Sequence, residues 1–260
     1  MSQAERPNYD IKTEIAAYWD RRAETFDEAP SHAIRQGPER DAWKQLLRTH
    51  LEGDSPRILE LGCGTGIITD LLCEAGCQVT AFDLAESMLK RARARVGDRA
   101  SILFGDAEDP FPAEGPFDGI ISRHLVWTLP NPEKAIARWR ELLAPGGRLL
   151  IVDGYWGDNS LLASLLRRMA SLAEPAPVKT NGPPGLTDPG SPYPEIDALL
   201  PFGINGAPPS RIAGLLADAG FTDIRIDPLS DLKRQQRSGR PLGFRLRSMS
   251  IQRYLVRGTA

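Results

Sequence analysis

The chain has 260 residues, 41% of them hydrophobic and 25% charged, close to globular averages, so a buried core can form and wholesale disorder is excluded. Its net charge of −2 gives no general electrostatic attraction to nucleic acid or to a membrane surface. Met1 is followed by a polar, charged stretch, with no signal-peptide core and no run of 18 apolar residues anywhere, so the cytoplasm is the expected compartment and no membrane partner is expected.

Residues 9–28 carry Ile11, Ile15, Tyr18, Trp19 and Phe26 at helical spacing, and a second helix over 38–51 puts Trp43, Leu46 and Leu47 on one face. From Pro56 onward strands and helices alternate. Strands are predicted at 57–61, 78–84, 101–104, 117–122, 148–153 and 222–228, with a last antiparallel strand at 250–257. Helices are predicted at 66–75, 86–96, 132–143, 160–172 and 210–219. Gly76 stands where a left-handed helix cap would go, Pro132 stands in a first turn that needs no N–H, and Pro145-Gly146-Gly147 is expected to stop the helix before it.

This rhythm predicts an α/β fold, a doubly wound, Rossmann-like and mostly parallel seven-stranded sheet with the last strand antiparallel, plus N-terminal helices and a cap insertion. Right-handed crossovers put every strand-to-helix loop on one edge of the sheet, where ligands bind at the point of strand-order reversal. The expected organisation is an N-terminal cover (1–52), a ligand-binding core (53–153), a proline-rich insertion or lid (154–209) and the rest of the sheet (210–260). Cys63, Cys73 and Cys77 are too few and too clustered for a disulfide framework and read as small core residues, not metal ligands.

The most informative stretch is Arg57-Ile58-Leu59-Glu60-Leu61-Gly62-Cys63-Gly64-Thr65-Gly66. An apolar strand runs into a glycine turn that lets backbone approach a ligand closely, and the following helix presents unpaired N–H groups. Glu60 would repel a pyrophosphate and attract a cationic amino-acid moiety. The dinucleotide fingerprint G-x-G-x-x-G fails, because Ile67 replaces its third glycine. Asp83 ends the second strand, 21 positions after Gly62, where a carboxylate can accept from both hydroxyls of a ribose.

These residues resemble motif I and the acidic strand end of the class I S-adenosylmethionine-dependent methyltransferases, in particular small-molecule members of the type 11 kind. Leu-Leu-Ala-Pro-Gly-Gly-Arg-Leu-Leu at 142–150 resembles the family's motif after its helix, and the block from Tyr18 to Asp27 resembles the N-terminal helix of many small-molecule members. The resemblance covers roughly residues 9–153. It implies S-adenosylmethionine as cofactor, held by the turn of Gly62, Gly64 and Gly66, by Asp83 at the ribose, and by Asp106 and the Ala107 N–H at the adenine. Leu84 and Met88 would sandwich the purine. Glu60 would orient the glycine loop and the ammonium end, and Tyr18 and Arg123 would complete the cofactor set.

The Asn/Asp-Pro-Pro-aromatic signature of enzymes that methylate nucleic-acid bases is absent from Ser122-Arg123-His124-Leu125-Val126-Trp127, so a base-flipping activity is disfavoured. Histidine is the natural base near neutral pH. His124 follows the fourth strand, His32 lies in the loop between the N-terminal helices, and His50 reads as a surface residue at a helix end. His124 and His32 are therefore the catalytic candidates. Trp19, Trp127, Tyr155 and Trp156 are expected to line the acceptor pocket, and Tyr9, Tyr18 and Trp19 to close over the sulfonium through cation–π attraction. The basic run over 233–247 is either a receptor for an anionic acceptor or a solvated face.

The activity expected is methyl transfer from S-adenosylmethionine to a small organic acceptor. The alternatives are a protein acceptor, a nicotinamide-dependent oxidoreductase on a similar sheet, and a cofactor-binding module without transfer activity. A monomer or homodimer is expected.

Overall fold

The computed structural model describes residues 8–29, 32–51, 53–111, 115–173 and 194–260. The most proline-rich part of the expected lid, 174–193, lies outside the described residues. Seven strands form one sheet in the order β3-β2-β1-β4-β5-β7-β6. They are β1 (Arg57–Leu61), β2 (Gln78–Asp83), β3 (Ala100–Phe104), β4 (Phe117–Arg123), β5 (Leu143–Tyr155), β6 (Thr222–Asp227) and β7 (Gln252–Thr259). The first five run parallel, and β7 pairs antiparallel with both β5 and β6. The predicted sheet, with its antiparallel last strand, is the one observed.

Helices cover both faces, as the largely buried central strands β1, β4 and β5 demand. On one side α2 (Pro38–His50), α3 (Ile67–Glu74), α4 (Glu86–Val96) and α8 (Ser230–Arg237) pack through Trp43, Leu47, Leu71, Leu72, Leu89 and Leu232. On the other, α5 (Pro132–Glu141) and α7 (Pro209–Asp218) bury Ile136, Trp139, Ile212 and Leu216. The chain begins with α1 (Asn8–Arg22), continued by a 3-10 segment, Ala23–Glu28. Ile11 and Ile15 of α1 join Trp127, Ile196 and Leu200 in a smaller cluster above the carboxyl edge of the sheet. The strand order reverses between β1 and β4, so the ligand crevice opens beneath this cluster.

Two segments differ from the sequence reading. The helix predicted to reach 143 ends at Glu141, and β5 begins at Leu143, running through Pro145-Gly146-Gly147. The cause is tertiary pairing. Phe117 N donates to Leu142 O (2.8 Å), Gly146 N donates to Ala260 O (3.2 Å) and Ala260 N donates to Gly147 O (2.9 Å), so neighbouring chain draws the expected breaker into the sheet. The basic run over 233–247 forms most of two helices, α8 and α9 (Leu242–Met249). The latter packs against α6 (Leu161–Ala173). His50, expected at the surface, is buried at the end of α2, where its carbonyl accepts from Arg148 (3.0 Å). No described helix is long and apolar enough to cross a membrane.

Candidate active site

The glycine turn between β1 and α3 is a left-handed run. Gly62, Gly64 and Gly66 have φ of 69°, 54° and 76°, values that side chains other than glycine rarely adopt. A Cβ on Gly66 would stand 3.0 Å from the Ala92 Cα, and one on Gly62 would stand 3.0 Å from the Leu125 side chain. The N–H groups of Gly62 and Cys63 both donate to Phe82 O at 2.9 Å. Asp83 ties the turn to β2: its Oδ2 accepts from Gly64 N (2.8 Å) and its Oδ1 from Ala85 N (2.9 Å). Burial raises the Asp83 carboxyl above its ordinary value, against these donors, which lower it.

Glu60 lies at the floor of the turn. Its Oε2 accepts from the Thr69 hydroxyl at 2.6 Å, and burial pushes its carboxyl up to about 8. The acid after β3 is tied in a different way. Asp106 Oδ1 accepts from Glu108 N (2.9 Å), while Oδ2 accepts from Lys12 Nζ (2.6 Å), which reaches down from α1. Lys12 also pairs with Glu108, whose carboxylate accepts from Asn8 (3.1 Å) and from Asn131 N (2.5 Å). Trp139, fully buried, donates its indole N–H to Ala107 O at 2.7 Å and so fixes the loop from the sheet side.

The N-terminal segment roofs this floor and is fastened to it. Asp20 accepts from Ser87 N (2.7 Å), at the start of α4. Asp27 accepts from the Thr65 hydroxyl (2.6 Å) inside the glycine turn and pairs with Arg95, which also donates to Thr65 O (2.8 Å). Tyr18 and Trp19 meet edge-on at 5.0 Å, Trp19 meets Phe26 at 5.8 Å, and Phe26 stacks on His32 at 4.1 Å. Tyr9, expected to close over the ligand, is 78% exposed and takes no part.

On the other side of β1, His124 follows β4 with a φ of 57°, a strained placement for a non-glycine residue. Its Nδ1 lies 3.7 Å from Asp153 Oδ1, at the far end of β5. Burial, together with the charges of Arg123, His32 and Arg253, holds the imidazole neutral, well below its ordinary range. Asp153 is buried as well, and its carboxyl rises to about 7 although the N–H groups of Gly154, Val126 and Trp127 point at it. Trp127 donates to His124 O at 3.0 Å, and Trp156 lies 6.1 Å from Trp127 and 6.3 Å from His124. Arg123 donates from both Nη atoms to His32 O (3.1 Å each) and lies 5.2 Å from the Trp43 ring. Burial and three guanidiniums, Arg123, Arg253 and Arg22, push His32 down to about 3.

One cavity of about 770 Å³ joins these parts. It brings together Tyr18, Trp19, His32, Glu60, Gly62, Gly64, Asp83, Leu84, Met88, Asp106, Ala107, Arg123, His124, Trp127 and Trp156. Besides Tyr9, two residues singled out from the sequence are not on its wall. Gly66 turns the chain against α4 instead, and Tyr155 packs into the core under α5 and α7, its hydroxyl on Gly157 O (3.0 Å). Sequence reasoning missed Asp27 and Asp153, as well as Lys12, Phe244, Ser248 and Arg253, which line the cavity. Among them only the last three carried a signal, the basic run over 233–247 that holds Phe244 and ends just before Ser248.

A glycine turn into a helix, an acid closing β2 and an acid after β3, all around one cavity at the switch point, define a class I S-adenosylmethionine-dependent methyltransferase. A family model described as a methyltransferase domain matches residues 59–151. An uncharacterized methyltransferase of Geobacillus kaustophilus is 32% identical over 153 residues, 58% of this chain and 68% of that protein. A ubiquinone biosynthesis O-methyltransferase of Bordetella avium is 31% identical over 56% of this chain and 63% of its own length. Among solved structures, phosphoethanolamine N-methyltransferase 2 of Haemonchus contortus, in complex with S-adenosyl-L-methionine, shares the fold with a TM-score of 0.60. It is 17% identical, over 92% of this chain and 57% of that one. The chain belongs to the methyltransferase-domain family and is an S-adenosylmethionine-dependent methyltransferase.

Proposed function

We propose that the acceptor is a small organic molecule, held between Trp127, Trp156 and Phe244, and that His124 is the general base. The observation that carries this reading is the roofed cavity of about 770 Å³ whose wall runs from the glycine turn to Trp127, Trp156 and Phe244. The residues fit the cofactor. Three glycines at positive φ leave room for close backbone approach, Asp83 closes β2, and Glu60 is a buried acid awaiting a cation. When bound, S-adenosylmethionine supplies a methyl group already activated on a sulfonium, for in-line transfer to a nucleophile.

Asp83 would hold the ribose, Asp106 with Ala107 the adenine, and Leu84 and Met88 its faces. Glu60 would meet the ammonium, and Tyr18 and Arg123 would close the amino-acid end. The roof excludes water and fixes the acceptor in line, an effect worth about 7–11 kcal/mol at best. His124, neutral and uncharged, can take a proton from a hydroxyl nucleophile, and Asp153 at 3.7 Å then faces the resulting imidazolium. Proton removal of this kind adds about 10²–10⁴-fold. His32, stacked on Phe26 with its carbonyl held by Arg123, is the weaker candidate and serves to anchor that arginine. In this reading the described residues of 1–52 act as cover, and those of 154–209 border the acceptor side.

The test is formation of S-adenosylhomocysteine from S-adenosylmethionine with pooled small hydroxylated and amine acceptors, beside a protein extract. Turnover with a small-molecule pool is expected. Turnover with the protein extract alone would transfer the reading to a protein acceptor.

A further inference from the structure

We propose that the far end of the cavity is an oxyanion site anchored by Arg253, so that the acceptor carries a carboxylate or phosphate group beside its apolar body. This rests on the small-molecule reading and narrows it to a substrate class.

Arg253 stands at the start of β7, paired with Gly154 of β5, and is only 8% exposed. Its Nη1 donates to a neutral amide oxygen, Gln236 Oε1 (2.9 Å), and its Nε has no hydrogen-bond partner. The one carboxylate that acts on it electrostatically, Glu39, is held by Arg35 at 2.8 Å. A guanidinium withdrawn from water without a carboxylate is costly unless a ligand completes it. Nearby, Ser248 of α9 has a buried hydroxyl with no partner, and Ser248 and Arg253 line the same cavity. Arg22, at the end of α1, repeats the pattern, being 7% exposed with an unpartnered Nε on the cavity wall. A planar fork of N–H donors suits carboxylate and phosphate oxygens.

The site is apart from the ribose and adenine ends of the cofactor site. Asp83 and Asp106 follow β2 and β3, on one side of β1, whereas Arg253 is on β7, beyond β4 and β5 on the other side. It lies close enough to His124 to act on its charge. An oxyanion on Arg253 therefore leaves the rest of a small acceptor within the aromatic box beside His124.

The protein saturated with S-adenosylhomocysteine is titrated with benzoate, phenyl phosphate and the neutral isostere benzamide, as wild type, Arg253→Met and Arg253→Lys. One or both anions should bind about tenfold or more tighter than benzamide, and the tighter of the two names the oxyanion. Arg253→Met should erase that preference without altering affinity for S-adenosylhomocysteine, and Arg253→Lys should keep part of it. Benzamide binding as well as both anions, or a preference that survives Arg253→Met, would overturn the proposal. So would a loss of S-adenosylhomocysteine affinity in Arg253→Met, which would assign Arg253 to the cofactor's own carboxylate. Should Arg253→Met not fold, the wild-type preference and its reduction in Arg253→Lys decide. Failure of all three probes to bind would overturn the small-molecule reading itself.

Discussion

The two ends of the cavity are built in opposite ways. At the proposed cofactor end, between β1 and β3, two short acids are met by nearby backbone: Asp83 holds Gly64 N and Ala85 N, and Asp106 holds Glu108 N. At the proposed acceptor end, between β4 and β7, polar groups are gathered from distant elements, and several stay unanswered: the His124 Nδ1, one Asp153 oxygen and the Arg253 Nε have no hydrogen-bond partner. A ligand common to every turnover of a family can be met by a fixed backbone cradle. A ligand that differs between members must be met by side chains that only it completes.

Asp83→Ala should break the cofactor end outright. It removes the anchor of Gly64 and Ala85 together with the candidate ribose acceptor, and affinity for S-adenosylmethionine should fall about 100-fold or more, at roughly 1–3 kcal/mol for each lost charged hydrogen bond. Calorimetric titration reads this, and an unchanged affinity would refute the assignment. His124→Asn should act at the other end, lowering kcat about 10²-fold or more with little change in cofactor binding. Equal losses in both quantities would mean that His124 holds the loop and not the reaction.

Gly66→Ala should lower stability by about 1–3 kcal/mol, because its φ of 76° and its contact with Ala92 forbid a side chain. Thermal unfolding checks it. Lys12→Met should be the mildest, raising the KM for S-adenosylmethionine a few-fold by releasing Asp106 from its partner on the roof; a larger effect on kcat would move Lys12 into the chemistry.

Proton uptake sharpens the same contrast. The Glu60 carboxyl rises from 4.5 to about 8, so the folded chain keeps a proton that the unfolded chain releases. Its contribution to stability is complete below about 4.5 and is lost as pH climbs through about 8. A cation beside Glu60 reverses the preference, so binding of S-adenosylmethionine near pH 7 should expel a proton and tighten as pH rises toward 8. Calorimetry in buffers of different ionisation heat measures that proton, and Glu60→Gln should remove it. Heats identical in every buffer for the wild type would place the ammonium elsewhere.

The cofactor end was legible in the sequence because its residues are neighbours along the chain. Glycine spacing, the acid before them and the acid 21 positions later are all local signals. Lys12 was not legible, since nothing in α1 marks a partner 94 positions away. Tyr155 and Trp156 look equally placed after the strand predicted at 148–153, yet one turns against the core cluster and the other to the cavity. The sheet order was legible from the alternation of elements, whereas the start of β5 depended on Phe117 and Ala260, which no local pattern connects to Gly147.

The hold of Asp27 on Thr65 and Arg95 has a kinetic consequence. The carboxylate that keeps the N-terminal segment down is bonded to the same glycine turn proposed to cradle the cofactor. Lifting the roof should then disturb the floor, coupling departure of the spent cofactor to opening of the chamber, and Asp27→Asn should shorten the residence of S-adenosylhomocysteine in a stopped-flow chase while sparing the methyl-transfer step measured in a single turnover.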